Sequence, residues 1–379
     1  MQKINIVTFT ILLSLFFALA ILPSDPRAAE LEHLASFPDI NVEDILNKNF
    51  SDGFENYLGD NMALRSFMIE FARGLDYLQG LQPASGFVEI YNNLMVFTDR
   101  IMEIFVTDEV MSYYFSWGIS EFAVNAREDA RIFNMVVPNA AAFLSEPYSN
   151  MTGDQRQTLI YLDEWISILW TNRMILVDVY SKLKEHQDEY IFFRTDHHWT
   201  ALGAYYAYLA FCEAAGLEPV PLSEYNEHRA ENFLGLLYNQ RPSRSLRENA
   251  DTIIYYTLND PAFDKLIVHP TPNRPPTYQI FMGGDHGHFV VETQNKNNKT
   301  VVVLKDSYAN CFVPFLVPHY ERIVVLDPRH VPEDFSIIGV INSYENVDFI
   351  MLHYILSTTM SDIIYLLNHR SGIVYEDIH

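Results

Sequence analysis

Two polar segments of this sequence contain side chains that could do nucleophilic chemistry. The first is the Asp-His-His-Trp segment 196–199, which follows the apolar run 191–193. The second is the Lys-Asp-Ser segment 305–307, which follows the apolar run 301–304. A carboxylate that orients an imidazole, which in turn activates a serine hydroxyl, is the standard arrangement for covalent catalysis. Each segment lies where a strand is predicted to end, and the fold decides whether they meet.

The spacing within segment 196–199 separates its two histidines. In a locally extended loop, side chains alternate between the two sides of the backbone. Asp196 and His198 are then expected on one side, with His197 and Trp199 on the other. We therefore predict that Asp196 orients the imidazole of His198, while His197 and Trp199 hold the loop in shape.

Ser307 is the candidate nucleophile. It follows the buried strand predicted at 301–304 and stands at the start of a helix or turn, where backbone N–H groups can stabilise a developing oxyanion. His198 is the best-placed general base. The structural alternative for a serine at this position is an ordinary helix N-cap.

The pattern of apolar residues from about residue 131 onward predicts an α/β fold. Short runs that are apolar on both faces alternate with amphipathic stretches, which is typical of a parallel sheet covered on both sides. We expect a doubly wound, mostly parallel sheet with helices on both faces. One predicted helix covers 155–170, and another covers 201–215 between an N-cap at Thr200 and a C-terminal glycine at Gly216. The predicted strands are 132–138, 174–180, 189–193, 278–284, 300–307 and 322–327.

The composition excludes some classes of partner. The chain has 379 residues, 49% of them hydrophobic, and a formal net charge of -24. Such a charge argues against nucleic acids and anionic membrane surfaces as partners. There are only two cysteines, Cys212 and Cys311, so the chain is not a disulfide scaffold.

The N-terminus carries a targeting or anchoring segment. Residues 4–22 are nineteen consecutive residues without a charge, long enough to cross a bilayer. We predict a signal peptide or membrane anchor over 1–23, a polar tether over 24–50 and one domain over 51–379. Within that domain, 51–130 is expected to be helical and 131–379 to form the α/β core. Everything after the first segment is expected outside the cytoplasm, with contact to the membrane through that segment only.

A second cluster leaves a metal site open as an alternative. Asp285, His286 and His288 follow another predicted strand and could join segment 196–199 in binding Zn²⁺ or two metal ions. Zinc needs three or four convergent ligands, and no His-Glu-x-x-His motif occurs. We therefore predict no metal or other cofactor, with His286 near the cleft.

The Thr-Asp-His-His-Trp-Thr sequence at 195–200 resembles the signature of the DHHW protein family, which is related to SGNH-hydrolase-like alginate O-acetylation proteins. Further segments are similar to that family over about residues 50 to 375. These are 54–69, 280–287, the serine block 304–316 and 322–329.

This resemblance implies an SGNH-hydrolase-like domain with a Ser–His–Asp triad of Ser307, His198 and Asp196. SGNH esterases carry Gly-Asp-Ser, whereas residues 305–307 here are Lys-Asp-Ser. The candidate oxyanion donors are the N–H of Ser307, Asn310, and a backbone N–H of Gly283 or Gly284. Candidate substrate contacts are Arg194 and His286.

The expected activity is an O-acetyltransferase or acetylesterase at the cell surface or outside the cell, acting on a polysaccharide. Ser307 would carry the acetyl group before His198 activates a sugar hydroxyl or water. The resemblance implies that a membrane-bound O-acyltransferase partner supplies the acetyl group. A non-catalytic glycan-binding or assembly protein with the same fold, and a metal-dependent hydrolase, are the alternative functions.

Overall fold

The computed structural model describes residues 88–170, 173–271 and 275–371. The predicted signal or anchor, the tether and residues 51–87 of the expected helical segment lie outside these ranges. Contacts divide the chain into two units, of which 88–235 and 249–379 form one, and 236–248 belong to the other. Within the described part of the chain, no helix combines the length and apolar character needed to cross a membrane.

Eleven strands and nine α-helices are present in the described ranges. The strands are β1 (Glu89–Tyr91), β2 (Leu94–Val96), β3 (Ile101–Glu103), β4 (Arg131–Val137), β5 (Met174–Leu176), β6 (Asn226–Phe233), β7 (Asp251–Thr257), β8 (His288–Glu292), β9 (Thr300–Lys305), β10 (Arg322–Leu326) and β11 (Asp348–Tyr354). The helices are α1 (Glu109–Asn125), α2 (Gln155–Trp170), α3 (Val179–Glu185), α4 (Ala201–Ala215), α5 (Leu236–Gln240), α6 (Arg244–Glu248), α7 (Phe263–Leu266), α8 (Ile337–Asn342) and α9 (Ser361–Arg370).

A six-stranded sheet forms the centre of the unit that contains 88–235 and 249–379. Its strand order is β5-β4-β11-β9-β10-β8. All neighbouring pairs are parallel except β10 and the edge strand β8, which are antiparallel. Every residue of β9 and β11 is buried, as expected for strands covered on both faces. The prediction of an α/β fold with a mostly parallel sheet is therefore confirmed.

Helices cover both faces of this sheet, as predicted. Phe133 of β4 contacts Phe211 of α4, and Phe349 of β11 contacts Phe122 of α1. Ile350 is the register partner of Phe133, so these two side chains share one face. Phe349 precedes Ile350 in the strand and points to the opposite face. Helices α1 and α4 therefore lie on opposite sides of the sheet.

Helix α4 begins and ends where the sequence predicts. The hydroxyl of Thr200 accepts a hydrogen bond from the N–H of Gly203, as an N-cap does. Gly216 ends the helix in the left-handed conformation, at φ +68°. The cap at Thr200 fixes the direction in which segment 196–199 enters the helix.

Three strand predictions are wrong in whole or in part. Residues 189–193 contribute only the single bridge of Phe192 to Trp199. Segment 278–284 is a 3₁₀ turn followed by Met282, Gly283 and Gly284, and three successive residues with positive φ cannot form a regular strand. Of 174–180, only the first three residues form β5, and α3 starts at the sixth.

The segment 51–130, expected to be helical, also contains strands. Its described part starts with β1, β2 and β3, which pair in an antiparallel sheet before α1 begins. Asn92 and Asn93 both have positive φ between the paired ends of β1 and β2. Two such residues make the tight turn that joins hairpin strands, so this sequence signal favours a hairpin over a helix.

Cys212 and Cys311 are both buried and unpaired. Burial is the main cause that raises the pKa of each thiol to about 12. Both thiols therefore stay protonated at neutral pH, and neither is activated as a nucleophile.

Candidate active site

Ser307, His198 and Asp196 lie in one hydrogen-bonded row. The Oγ of Ser307 is 2.8 Å from Nε2 of His198, and Nδ1 of His198 is 2.6 Å from Oδ1 of Asp196. Because a carboxylate only accepts hydrogen bonds, Nδ1 carries the proton. Nε2 is then left with a lone pair that accepts from the serine hydroxyl. This is the arrangement in which a histidine takes a proton from a serine nucleophile.

Asp196 and His198 meet through a turn and not through alternation along an extended loop. Oδ1 of Asp196 also accepts a hydrogen bond from the backbone N–H of His198, at 3.0 Å. Such a side-chain-to-backbone bond two residues onward closes an Asx turn. The ring centroids of His197 and His198 are only 3.8 Å apart. The prediction that the two histidines point to opposite sides is therefore wrong, although the partner of Asp196 is the predicted one.

The carboxylate of Asp306 fixes the turn that carries Ser307. Ser307 starts a 3₁₀ turn directly after β9. Asp306 accepts hydrogen bonds from the N–H of Tyr308 at 3.0 Å, the N–H of Tyr354 at 2.7 Å and the hydroxyl of Ser357 at 2.9 Å. The serine turn is thereby fastened to the end of the neighbouring strand β11.

Trp199 connects the two predicted segments. Its indole N–H donates to the carbonyl of Tyr308 at 2.8 Å, and the side chain is fully buried. In the other direction, the hydroxyl of Tyr308 donates to the carbonyl of His197. These two bonds hold the histidine loop against the serine turn. The first matches the predicted positioning role of Trp199, whereas the second uses only the backbone of His197, whose side-chain role stays a prediction.

Asp251, at the start of β7, anchors the histidine loop and was not found by sequence reasoning. It is buried, and its carboxylate accepts from the N–H of Arg194 at 3.0 Å and from the N–H and hydroxyl of Thr195 at 2.8 and 2.6 Å. The hydroxyl of Tyr190 donates to it as well. It follows Asp196 by more than fifty residues without a recognisable motif, so only the fold reveals it.

Gly235 is a second residue that the sequence did not single out. A Cβ atom added there would lie 2.3 Å from the Cβ and 2.4 Å from Oδ2 of Asp196. The N–H of Gly235 donates to the hydroxyl of Thr195 at 3.0 Å. The backbone at 235 thus packs directly against the triad carboxylate, and only glycine fits there.

Burial keeps the imidazole of His198 neutral. Burial is the main cause that lowers the pKa of His198 to about 4, and the neighbouring His197 lowers it further. The carboxylate of Asp196 acts in the opposite direction. A neutral imidazole at pH 7 is the form that can accept a proton.

A buried cluster of charges lies directly beside the serine turn. Lys305 is completely buried and forms ion pairs with Asp285 and with Asp327, the latter at 3.2 Å. Arg329 is 2.7 Å from both carboxylates. The amide of Asn310 joins the cluster, accepting from Lys305 at 2.8 Å and donating to Asp285 at 3.0 Å. The predicted oxyanion donor Asn310 is therefore engaged with charged partners of its own.

The other candidate donors and contacts have local partners in this conformation. The N–H groups of Gly283 and Gly284 donate to the carbonyls of Gln279 and Phe281, at 3.1 and 3.3 Å. A nitrogen of His286 is 2.7 Å from the carbonyl of Met282. These amides are turn donors in this conformation, and their role as oxyanion donors stays a prediction.

Arg194, a candidate substrate contact, lies with its guanidinium 5.3 Å from the centre of the Tyr190 ring. Its backbone helps to hold the loop in place, because its carbonyl accepts a hydrogen bond from the N–H of Ile101 at 2.7 Å. The structure thus gives Arg194 a place in holding segment 190–195, whereas a role in substrate binding stays a prediction.

Two groups of carboxylate and histidine side chains could be considered as metal sites. Potential ligand atoms of 196–198 converge, and so do those of Asp285, Asp327 and His330. Both ring nitrogens of His198 are, however, engaged within the triad. Asp285 and Asp327 are already paired with two cationic side chains. A metal at either place would have to displace these partners, and the predicted ligands His286 and His288 belong to neither group.

The fold and the site define a mixed α/β protein with a buried Ser–His–Asp row at the carboxyl edge of its sheet. Residues 78–326, more than half of the chain, match the family model described as DHHW protein. The chain belongs to the DHHW family, which confirms the resemblance of its 195–200 segment. Comparison with curated protein sequences gave no match.

Two solved structures, of a DHHW family protein and of PatB1, share this fold. A DHHW family protein from Eubacterium siraeum is 27% identical, with a TM-score of 0.66 over 76% of this chain and 98% of that chain. Bacillus cereus PatB1 is 18% identical, with a TM-score of 0.56 over 73% of this chain and 98% of that chain. The O-acetyltransferase domain of Pseudomonas putida AlgJ, at 14% identity, has a TM-score of 0.43 over 74% of this chain and 98% of that chain. The likeness to this domain is remote.

Proposed function

We propose that this protein transfers acetyl groups to or from a polysaccharide through an acetyl-serine intermediate at Ser307, on an SGNH-hydrolase-like fold. The observation that carries the proposal is the row of hydrogen bonds from Ser307 through His198 to Asp196, at 2.8 and 2.6 Å. A serine whose role is only to cap a turn would not need a histidine at its hydroxyl. A histidine whose role is only to fill the core would not need a serine at one ring nitrogen and a carboxylate at the other. Their alignment supports nucleophilic catalysis.

The proposed reaction has two halves. In the first, Oγ of Ser307 attacks the acyl carbon of an ester while its proton moves to Nε2 of His198, which then protonates the departing alcohol oxygen. In the second, a sugar hydroxyl gives its proton to Nε2 and attacks the acetyl-serine, and Ser307 recovers its proton. Water in place of the sugar releases acetate, which is the esterase reaction. Asp196 stabilises the protonated imidazole in both halves.

The N–H of Ser307 is our proposed oxyanion donor. It opens the 3₁₀ turn 307–311, and the first amides of a helical turn have no partner inside that turn. An N–H beside the nucleophile is also in reach of the oxygen that becomes negative during attack. Asn310, Gly283 and Gly284 could act as oxyanion donors only if they first gave up their present hydrogen-bond partners.

Family membership and the N-terminal sequence support the proposed setting. The apolar segment 4–22 favours export or anchoring, so the domain would work outside the cytoplasm. Acetyl-CoA is cytoplasmic, so a transferase there needs an acetyl group passed across the membrane. We propose a membrane-bound O-acyltransferase as the source, and a polysaccharide at the cell surface or outside the cell as the acceptor.

The proposal is tested with a chromogenic acetyl ester and with a sulfonyl fluoride. A structure of Bacillus cereus PatB1 carries a sulfonyl adduct, which makes phenylmethanesulfonyl fluoride a suitable probe. Attack by Ser307 forms an Oγ–S bond and expels fluoride. We expect the wild type to cleave the ester and to be labelled at Ser307, and Ser307→Ala to do neither. Equal ester cleavage by both proteins would refute the proposal.

A further inference from the structure

The aromatic ring of Tyr278 lies flat against the imidazole of His198. The ring centroids are 3.7 Å apart and the planes differ by 8°. The hydroxyl of the same tyrosine donates to the carbonyl of Ser307 at 3.1 Å, and its oxygen lies 3.3 Å from the sulfur of Cys311. One side chain therefore contacts both the candidate base and the turn that carries the candidate nucleophile.

The position of Tyr278 in the chain is unrelated to either predicted segment. It opens the 3₁₀ turn 278–280, in which the hydroxyl of its neighbour Thr277 accepts from the N–H of Gln279. Burial is the main cause that raises the pKa of Tyr278 well above its usual value. The phenol therefore stays protonated and acts as a hydrogen-bond donor to Ser307.

We infer that Tyr278 is a positioning residue that sets both the orientation of the His198 imidazole and its isolation from water. The stacked ring restricts rotation of the imidazole about its side-chain bonds, which keeps Nε2 aimed at Ser307. It also occupies space from which water would otherwise solvate the imidazole. The hydroxyl fixes the distance between the ring and the serine turn, so that base and nucleophile move as one unit. This inference rests on the proposed function of the triad.

Several titratable groups face His198, and the test has to separate their effects from that of Tyr278. Asp196 is bonded to Nδ1, His197 lies against the ring, Asp285 acts on it electrostatically, and the ring of Tyr308 is 5.2 Å away. Substituting Tyr278 changes none of these charges. A shift of the His198 titration in a Tyr278 variant therefore reports solvation and orientation of the imidazole.

Two variants divide the contribution of the ring from that of the hydroxyl. Tyr278→Leu removes the stack, so we expect the rate of sulfonylation of Ser307 to fall ~10–100-fold, because small misplacements of reacting groups cost about that much. We also expect the pH midpoint of the reaction to rise, because water then reaches the imidazole. Tyr278→Phe keeps the stack, so the midpoint should stay while the rate falls about threefold, as for one lost hydrogen bond.

The chain offers a matched control in Tyr206. Its ring stacks on His186 with centroids 3.6 Å apart and planes 6° apart, and its hydroxyl donates to Glu189 at 2.7 Å. Tyr206→Leu removes the same kind of stack at another place. We expect it to leave the sulfonylation rate and its pH midpoint unchanged.

The experiment measures sulfonylation of Ser307 against pH and, in parallel, the NMR titration of the His198 imidazole in each variant. If Tyr278→Leu and Tyr206→Leu share the wild-type rate, midpoint and His198 titration, the inference is overturned. If wild-type Ser307 does not react at all, the proposed function fails, and a raised His198 pKa in Tyr278→Leu would still support the isolating role of the ring. Should that variant not fold, an unchanged rate in Tyr278→Phe overturns the role of the hydroxyl.

Discussion

Asp196 accepts two hydrogen bonds from His198, one from the backbone N–H at 3.0 Å and one from Nδ1 at 2.6 Å. The backbone bond closes the turn and the side-chain bond orients the ring, so one carboxylate sets both the loop and the tautomer. The two residues need to be two apart in sequence for this double contact. The Asp-x-His spacing therefore orients the imidazole so that Nε2 points at Ser307.

Replacement of Asp196 by Asn should be far more harmful to catalysis than to folding. The amide keeps the size of the carboxylate, but it neither stabilises a protonated imidazole nor enforces the Nδ1–H tautomer. We expect kcat for ester cleavage to fall ~10³–10⁴-fold, as for other triads, with little change in KM. Asp163→Asn, a partly buried carboxylate lining a separate small cavity, is the control and should retain activity. A fall of less than tenfold in Asp196→Asn would contradict the orienting role.

The pH dependence of the reaction should reflect the depressed pKa of His198. The neutral imidazole is the active form, and it is protonated only as the pH falls through about 4. kcat/KM is therefore expected to be flat from pH 7 down to about 5 and to decline below that. The measurement is the ester cleavage rate in short assays, with protein unfolding at each pH followed by circular dichroism. An acid limb centred near the ordinary histidine value of about 6.5 would contradict a buried, neutral base.

Gly235→Ala should damage the site without unfolding the protein. The added methyl group would overlap the carboxylate of Asp196, which has to move away from His198. We expect a loss of ester cleavage of ~100-fold, the cost of a displacement of about 1 Å. Gly216→Ala is the control, because a Cβ atom at this position would meet nothing within 4 Å. The backbone φ of +68° at Gly216 is nevertheless strained for any other residue. It should lower the free energy of unfolding by ~1 kcal/mol and leave activity intact. Equal activity of the two variants would argue against the close packing at Asp196.

Lys305→Ala should destabilise the fold strongly. It removes the ammonium group that pairs with the buried carboxylates of Asp285 and Asp327, so that less positive charge faces these carboxylates beside Arg329. Breaking a buried ion pair from one side costs about 3–5 kcal/mol, measured as the free energy of unfolding in urea. Arg229→Ala removes an exposed pair with Glu227 and should cost less than about 1 kcal/mol. Similar losses for both variants would show that the buried cluster is not a structural support of the serine turn.

The sequence reveals those parts of the site that depend on neighbours in the chain. Ser307 is marked by the apolar run before it, and Thr200 and Gly216 mark the ends of α4. Asp251 and Gly235 contact Thr195 and Asp196 across long loops, and nothing in their local sequence indicates this. Such contacts depend on the tertiary fold alone.

Two of the wrong predictions share one physical cause, which is that they assume an extended backbone where the chain turns. Segment 278–284 is apolar because Ile280, Phe281 and Met282 are buried in the core, yet its positive φ values make it a turn. In the same way, an extended loop would separate His197 from His198, whereas the Asx turn at Asp196 brings their rings together. Burial and conformation are independent properties in both segments.

The most direct test of the account is the mass of the intact protein after brief exposure to an activated acetyl ester. We predict that the wild type gains the mass of one acetyl group, that peptide analysis places it on Ser307, and that an added oligosaccharide removes it. Ser307→Ala should gain no such mass, and His198→Ala should acquire it far more slowly. A wild-type protein that is never acetylated at Ser307, or that is acetylated equally well without His198, would contradict the proposed triad.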